Sequence, residues 1–552
     1  MSSVAADKYR QFRVPQESGK ALIDPPLEKV RVNLHALDAS ASLGSVEFCG
    51  QPISLVRHKA RLEAVELAFR FTGQYREVPA QFNSVSDSTP ILLSGHQPEL
   101  FHPGVWFKNF LLSKLAAQSG AVAINFLVDN DLCRNTAIRV PTRTNEGSVL
   151  TTSVPFDAPR DNIPWELRLL NDAECWREFP SVVRATLLSE LDPPLVSDLW
   201  KLASESVART GRIGYAIAEA RHQLESEMGL QTLEVPLSQL VSTRAFARFS
   251  VQLLSELPRL QAVYNAQREN YRDAHRIRSQ SHPVPALEQQ HGWLEAPWWV
   301  YRPEAPKRQR LWVKLIDNSL MLSDRAGWQT VIEGRLECDQ AASQWLDILS
   351  DGVCLRPRAL LTTMYLRLIV GDAFIHGIGG GKYDQLTDAI IQEFFGIAPP
   401  GVIVASATLR LPTVATERSV ASSQQQREKL WQLKYHAESA VGNATFEPEA
   451  NEAESLMARK RELLAHIPQR GEKWDWHHQI TAVNRRLAEL AAAQTSATKQ
   501  QLDMATLEER QQRILTSREY GFCLFNRDFI AKELHRMATD VSSTAHPDGQ
   551  GR

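Results

Sequence analysis

Two short stretches hold most of the residues able to do chemistry. The first runs Gly95-His96-Gln97-Pro98-Glu99-Leu100-Phe101-His102-Pro103-Gly104, with Lys108 close behind and Asp129-Asn130-Asp131 after the next apolar run. The second is His376-Gly377-Ile378-Gly379-Gly380-Gly381-Lys382. Imidazoles titrate near neutral pH, so His96 and His102 suit acid–base work or the holding of an anion. Asp129 and Asp131 suit deprotonating an attacking amine or binding its ammonium form. Glycine lets backbone N–H groups approach a ligand closely, so Gly95, Gly104, Gly379, Gly380 and Gly381 suit a phosphate or carboxylate cradle. Lys108 and Lys382 would add charge to it, and Gln97, Asn130 and His376 are the remaining candidates for substrate contact. Cys133 has no base beside it in sequence and reads as a bystander thiol. No metal-ligand spacing stands out.

These residues need elements to position them. Residues 91–93 are an apolar run of the kind a buried strand shows. Pro98, Pro103 and Gly104 break regular structure, and residues 105–117 then return apolar side chains at helical spacing until Gly120 stops them. Residues 121–128 form a second apolar run. Strand, loop, helix, strand is a βαβ unit with a right-handed crossover. Ligands of such sheets sit beyond the carboxyl ends of the strands, and the loop opens into a helix N-terminus, where N–H groups and the dipole favour an anion. The second stretch repeats the plan: a strand at 373–375, a glycine-rich turn, a helix at 385–394 capped by Gly396, and a strand at 402–405. His96, His102, Asp129, Asp131 and Lys382 are therefore expected to converge on one cleft.

Around this core the chain changes character several times. Residues 1–84 read as an N-terminal arm followed by a helix at 58–77. Residues 85–421 read as the core, with a mainly helical insertion at about 160–280. Residues 282–312 combine Trp293, Trp298, Trp299, Tyr301 and Trp312 with Arg302, Lys307, Arg308 and Arg310. They read either as strands with a solvated basic turn or as a surface that stacks on a base or sugar. Residues 422–541, rich in Gln, Glu, Lys, Arg, Ala and Leu, read as about three helices of a coiled-coil appendage. His477-His478 within them reads as a solvated pair, and the tail at 542–552 as disordered.

Composition narrows the function classes. With 552 residues, 43% hydrophobic and 23% charged, the chain has the make-up of a globular protein of several structural units. A formal net charge of -2 gives no global pull toward nucleic acid or anionic membranes. No apolar run reaches the length of a membrane span, and the first residues lack the apolar core of a secretory signal. The six cysteines are scattered without a CxxC pair, so neither a zinc knuckle nor a disulfide framework is expected, and a cytoplasmic location fits.

The order of these motifs resembles the bacillithiol synthase family, the cysteine-adding enzymes of bacillithiol biosynthesis. That family has a GQQ…G loop after a strand, where this chain has Gly95-His96-Gln97…Gly104. Its next strand ends in an acidic cluster, here Asp129-Asn130-Asp131, and a later glycine turn corresponds to Phe374-Ile375-His376-Gly377-Ile378-Gly379-Gly380-Gly381-Lys382. The chain departs from the family at His96, in the absence of a histidine from the acidic cluster, and at Thr362 or Thr363, where an arginine is usual. The resemblance implies an α/β fold: a Rossmann-like parallel-sheet core with a helical insertion and a C-terminal helical coiled-coil appendage. It also implies a ligase that joins a cysteine-like amino acid to the amine of a sugar-derived acceptor. Phe101-His102-Pro103-Gly104-Val105 resembles the HxGH signature of nucleotidyltransferase-like folds as well, with Val105 at the place of the second histidine. That reading would bring ATP or ADP as cofactor. A third reading is a non-catalytic scaffold whose coil binds a partner. The partners expected are a small-molecule substrate and a second copy of the chain paired through the coil, with neither nucleic acid nor membrane.

Overall fold

The computed structural model describes residues 9–33, 46–80, 82, 85–86, 89–159, 162–278, 284–413, 421–435, 447–469 and 473–539. The tail expected to be disordered lies outside them. The principal sheet has six strands: β1 (Lys20–Asp24), β2 (Ile91–His96), β3 (Val122–Leu127), β4 (Leu233–Pro236), β5 (Ala373–His376) and β6 (Val402–Thr408). Their order is β1-β6-β5-β2-β3-β4. β2 to β6 are parallel, and β1 lies antiparallel on β6. The central strands read as continuous apolar runs because both faces are covered. Ile91, Leu92, Leu93, Ala123, Ile124, Phe126, Ile375, Ile403 and Ala405 are all buried.

Three helices bear on the sheet's chemistry: α1 (Ile53–Thr72), α2 (Pro103–Ser119) and α3 (Ile378–Phe395). α2 begins with Pro103 at its first position, where the missing N–H costs nothing, and ends at Gly120 in the left-handed conformation at φ 64. α3 begins well before the expected start at residue 385. Gly379, Gly380 and Gly381 lie inside its first turns and do not form a loop before it. Two further segments behave otherwise than expected. The stretch read as an arm supplies β1, and the stretch read as a helical insertion supplies β4, which pairs with β3 from Leu233↔Ile124 to Pro236↔Leu127. β4 is short, and Pro236 and the flanking helices hide it from pattern reading.

A second, antiparallel sheet holds Trp293–Arg302, Ala305–Ile316, Ser319–Ser323 and Gln329–Glu333, with Cys354–Pro357 paired to its first long strand. A register shift between Ala296 and Trp299 bulges that strand. Trp298 is fully buried, whereas Trp299 is half-buried with the Arg358 guanidinium 4.2 Å and the Arg308 guanidinium 4.8 Å from its ring. The segment is thus sheet core, and Arg308 within its second strand and Arg358 beyond it stack on an aromatic of the chain itself.

Cys49 and Cys338 form a disulfide across 289 residues, with Cα atoms 5.5 Å apart. This corrects the expectation of no disulfide. Spacing gave no sign of it, because the pair is made by folding and not by a local motif. Among the described residues no helix is long and apolar enough to cross a membrane.

The chain divides into two units. One is Met1–Val140, Thr152–Leu411 and Arg518–Arg552; the other is Pro141–Thr151 and Pro412–Ser517. The second unit contains the helices Ala421–Tyr435, Glu447–Ala465, Trp474–Leu490 and Ala492–Leu515. They close on Leu433, Ala453, Leu463, Ile480, Val483 and Leu487. His477 and His478 are exposed there. The segment from Arg518 onward, expected to continue the appendage, belongs to the first unit.

Candidate functional site

β2 leads through α2 to β3 on one side, while β5 and β6 lie on the other side of β2. The winding therefore reverses between β2 and β5, the place where ligands of open α/β sheets bind, beyond the carboxyl ends of the strands. Ser94 pairs with Ile375 in register, and Ser94 Oγ donates to the Ile375 carbonyl at 3.1 Å. Gly95-His96 and His376 end their strands next to this pair, still in register with Phe126-Leu127 and Val404.

His96 is half-buried, edge-on to Phe101 at 4.9 Å. Its Nδ1 lies 3.1 Å from the Gln97 carbonyl, which can only accept, so Nδ1 carries the proton and Nε2 a lone pair. Burial, with the Lys108 charge, lowers its pKa to about 3. His96 is therefore a neutral hydrogen-bond acceptor at physiological pH and a weak base. Gln97 Nε2 donates to Asp131 Oδ2 at 2.9 Å, and Arg308 pairs with Asp131 Oδ1 at 3.2 Å. Arg308 also donates to the Asn130 carbonyl at 3.2 Å while stacking on Trp299. His96, Gln97, Asp131 and Arg308 thus form a half-exposed polar wall. The sequence shows Arg308 only as one basic residue in a cluster of four.

Asp129 and Asn130 turn inward instead. Asp129 is fully buried and accepts from the Ser238 amide at 3.0 Å, from the Ser238 hydroxyl, and from Tyr215 Oη at 3.2 Å. Burial, with the nearby Glu166, raises its pKa to about 7. Asn130 donates to the Pro357 carbonyl at 3.1 Å. Glu166 accepts from Tyr301 and forms a two-point pair with Arg356, both distances 2.9 Å. This cluster ties β3, β4 and the second sheet together, so the catalytic assignment of Asp129 gives way to a joint. Cys133 is buried, and burial raises its thiol to about 11, in keeping with a bystander.

His102 and Lys108 are also used internally. His102 caps α2: its Nδ1 accepts from the Gly104 amide at 3.1 Å. Burial, with the Arg518 charge, lowers its pKa to about 4. Arg518 returns from the far end of the chain to lie 3.4 Å from both imidazole nitrogens and 3.3 Å from Thr408 Oγ1. Gly104 is needed for packing: a Cβ there would meet the Ala407 carbonyl oxygen at 2.1 Å. Lys108 is buried, its Nζ donating to the Gly95 carbonyl at 2.7 Å. Burial, with Arg221, lowers it to about 7. Lys108 supports the strand end from behind and offers no free cation beyond it.

The second stretch forms an open helix start. Gly377 is the N-cap of α3 without a side-chain cap, and a Cβ at Gly377 or Gly379 would meet nothing within 4 Å. Gly380 makes room for His376, whose Nδ1 a Cβ would meet at 2.6 Å. His376 Nε2 donates to Asp384 at 3.1 Å, and Asp384 also accepts from Thr363 at 2.7 Å and from Arg367 at 2.5 Å. Burial alone would raise the Asp384 carboxyl; Arg367 and His376 outweigh it and hold it well below the usual range. Thr363 thus has a partner of its own, and Arg367, one turn on, supplies an arginine to this region. Lys382 is exposed in the second turn of α3, and its charge is felt by His275.

The carboxyl ends of β2 and β5 in this mixed α/β chain thus carry two groups, His96, Gln97, Asp131 and Arg308 at the first and His376 with the start of α3 at the second, while Asp129, Asn130, His102, Gly104 and Lys108 are held by internal contacts. No family model matches the chain. No curated protein matches it either.

Proposed function

We propose that the protein is a small-molecule enzyme with a Rossmann-like core whose substrates meet between β2 and β5, and that it forms a carbon–nitrogen bond in the manner of a bacillithiol synthase. The observation that carries this is the reversal of winding at the strand pair from which both chemistry-bearing stretches depart. The N–H groups of Ile378, Gly379 and Gly380 at the uncapped start of α3 would hold a carboxylate or phosphate. The Nε2 lone pair of His96 and the Asp131 carboxylate would hold an attacking amine, and Arg308 would fix Asp131. A cysteine-like acyl group would arrive activated, with ATP as the source of the leaving phosphate. The capped and covered start of α2 disfavours the HxGH reading, in which phosphates would sit at His102. The second unit would serve as a coiled-coil appendage that pairs two chains.

The test is an assay of the purified chain with ATP, cysteine and an aminosugar acceptor, followed by mass spectrometry for the amide and by ADP release. Asp131→Ala should abolish product while shifting stability by no more than about 1 kcal/mol, since Asp131 is partly exposed. Asp129→Ala should instead destabilise by about 1–3 kcal/mol, because it strands the Ser238 and Tyr215 donors. Full product formation by Asp131→Ala would remove these strand ends from the reaction.

A further inference from the structure

A second polar cluster lies inside the sheet's outer half, and the chemistry proposed above does not use it. Arg221, His222 and Glu225 come from the helix Ile213–Glu227, Glu234 from β4 and Asn125 from β3. His222, Glu225 and Glu234 are each 0% exposed. Donors converge on one oxygen of each carboxylate. Glu225 Oε1 accepts from Arg221 at 2.6 Å, Trp106 at 2.6 Å and Asn109 at 2.8 Å. Glu234 Oε1 accepts from Arg221 and from Asn125, each at 2.5 Å. The other oxygens, Glu225 Oε2 and Glu234 Oε2, have no hydrogen-bond partner among the described residues, and neither has Asn125 Oδ1. Buried acceptors are rarely left in that state, because a missing partner costs the full desolvation of the group.

The histidine points to what is missing. His222 Nε2 lies 3.1 Å from the Thr232 carbonyl, which can only accept, so Nε2 carries the proton and Nδ1 the lone pair. That is the tautomer of a metal-ligating histidine, oriented through its other nitrogen by a backbone carbonyl. Nδ1 lies 2.7 Å from Tyr75 Oη, which donates to it, and 3.9 Å from Glu234 Oε2, so an ion at Nδ1 would displace the Tyr75 hydrogen bond. One ligand atom from each of His222, Glu225 and Glu234 lies within 4.8 Å of the other two. Metal bonds of about 2.0–2.2 Å at tetrahedral angles separate two ligands by about 3.3–3.6 Å, so the cluster closes on an ion with side-chain shifts of up to about 1 Å.

We propose that His222, Glu225 and Glu234 bind a divalent transition-metal ion, zinc or manganese in the first instance, through Nδ1 and the two Oε2 atoms. One imidazole beside two carboxylates favours such an ion over calcium or magnesium. Arg221, Trp106, Asn109 and Asn125 hold the carboxylates by their outer oxygens, as partners of metal ligands do. Arg221 and Arg76 together balance the two carboxylates, so the ion adds charge to the interior and binds less tightly than in an all-anionic site. Its place is structural: it staples the helix Ile213–Glu227 to β4.

The full chain, purified without an affinity tag and stripped of loosely held ions on a chelating resin, is analysed for metals by mass spectrometry. It should keep about one equivalent per chain or rebind one from zinc or manganese chloride, with a rise in melting temperature that calcium and magnesium do not produce. Glu234→Gln should lose the ion at least about tenfold more readily, whereas His477→Ala with His478→Ala should keep it. X-ray absorption of the wild-type ion should show one imidazole and oxygen ligands without sulfur, a readout that stands even where Glu234→Gln does not fold. An absence of metal together with no thermal response to zinc or manganese overturns the proposal, and a water or shared proton then fills the gap. A metal retained by folded Glu234→Gln, or one bound through sulfur or several imidazoles, overturns it as well.

Discussion

His102 accepts the Gly104 amide through Nδ1, so one imidazole is both an N-cap and a titratable group. Its pKa falls to about 4 in the folded chain, against an ordinary value near 6.5. Between those values the unfolded chain takes up a proton that the folded one refuses. Its contribution to stability is therefore complete above about pH 6.5 and is lost as pH falls toward 4. Asparagine caps a helix as well as histidine does and does not titrate. His102→Asn should match the wild type within about 0.5 kcal/mol at pH 7.5 and lose less stability at pH 4.5, read by urea unfolding at both values; His102→Ala should already lose about 1 kcal/mol at pH 7.5. Parallel losses in wild type and His102→Asn on acidification would place the titration elsewhere. His96, with its pKa near 3, acts in the same direction, so the double change should flatten the acid limb further.

Among the elements, α2 and α3 both begin with glycines but for different reasons. Gly104 lets α2 lie against β6, where a Cβ would meet the Ala407 carbonyl oxygen at 2.1 Å. That atom is backbone and has little room to yield. Gly104→Ala should cost about 1–3 kcal/mol as overpacking. Gly379 stands in open space inside a helix, where glycine is the poorer residue by roughly 0.5–1 kcal/mol. Gly379→Ala should therefore stabilise the chain by up to that amount, measured by thermal or urea unfolding. If it also weakens binding of inorganic phosphate or citrate in calorimetry, the residue is retained for access to the N–H groups of α3. Unchanged anion binding would leave this glycine without a ligand role.

Across the molecule, the C-terminal segment completes the first unit. The Phe522 amide donates to the Phe101 carbonyl at 2.8 Å, and the Phe522 ring stands 4.5 Å from that of Trp106. Phe522, Leu524, Ile530, Leu534 and Met537 are buried. A chain ending at residue 411 should expose Trp106 and Phe110 and become insoluble or melt well below the full chain. Replacing residues 412–517 by a short glycine–serine linker keeps Arg518 beside Thr408, so it should preserve a cooperative melt of the first unit. Equal stability of the two shortened chains would contradict this role of residues 518–539. The disulfide makes a separate whole-chain prediction. Six cysteines with one bond should yield four titratable thiols after denaturation without reductant, and six after reduction. Six thiols without reductant would mean that Cys49 and Cys338 remain reduced.

What could be read from residue order is local. The apolar runs of β2, β3 and β6, the stop of α2 at Gly120 and that of α3 at Gly396 depend on neighbours within a few residues. They are legible because strand and helix periodicities act over that range. Even locally the start of α3 was obscured, since three successive glycines read as a turn until Val404 and His376 pack against them. Folding then chose which polar groups are free. Lys108 and Asp129 have the same composition-level signature as Asp131 and Arg308, yet contacts with Gly95 and with Ser238 take them out of solvent. Arg518 reaches His102 across 416 positions, Cys49 reaches Cys338 across 289, and Glu234 joins Asn125 across 109. Such pairs leave no trace in spacing, because what brings them together is the burial of apolar surface elsewhere in the chain, and the cost of an unpaired buried group then selects their partners.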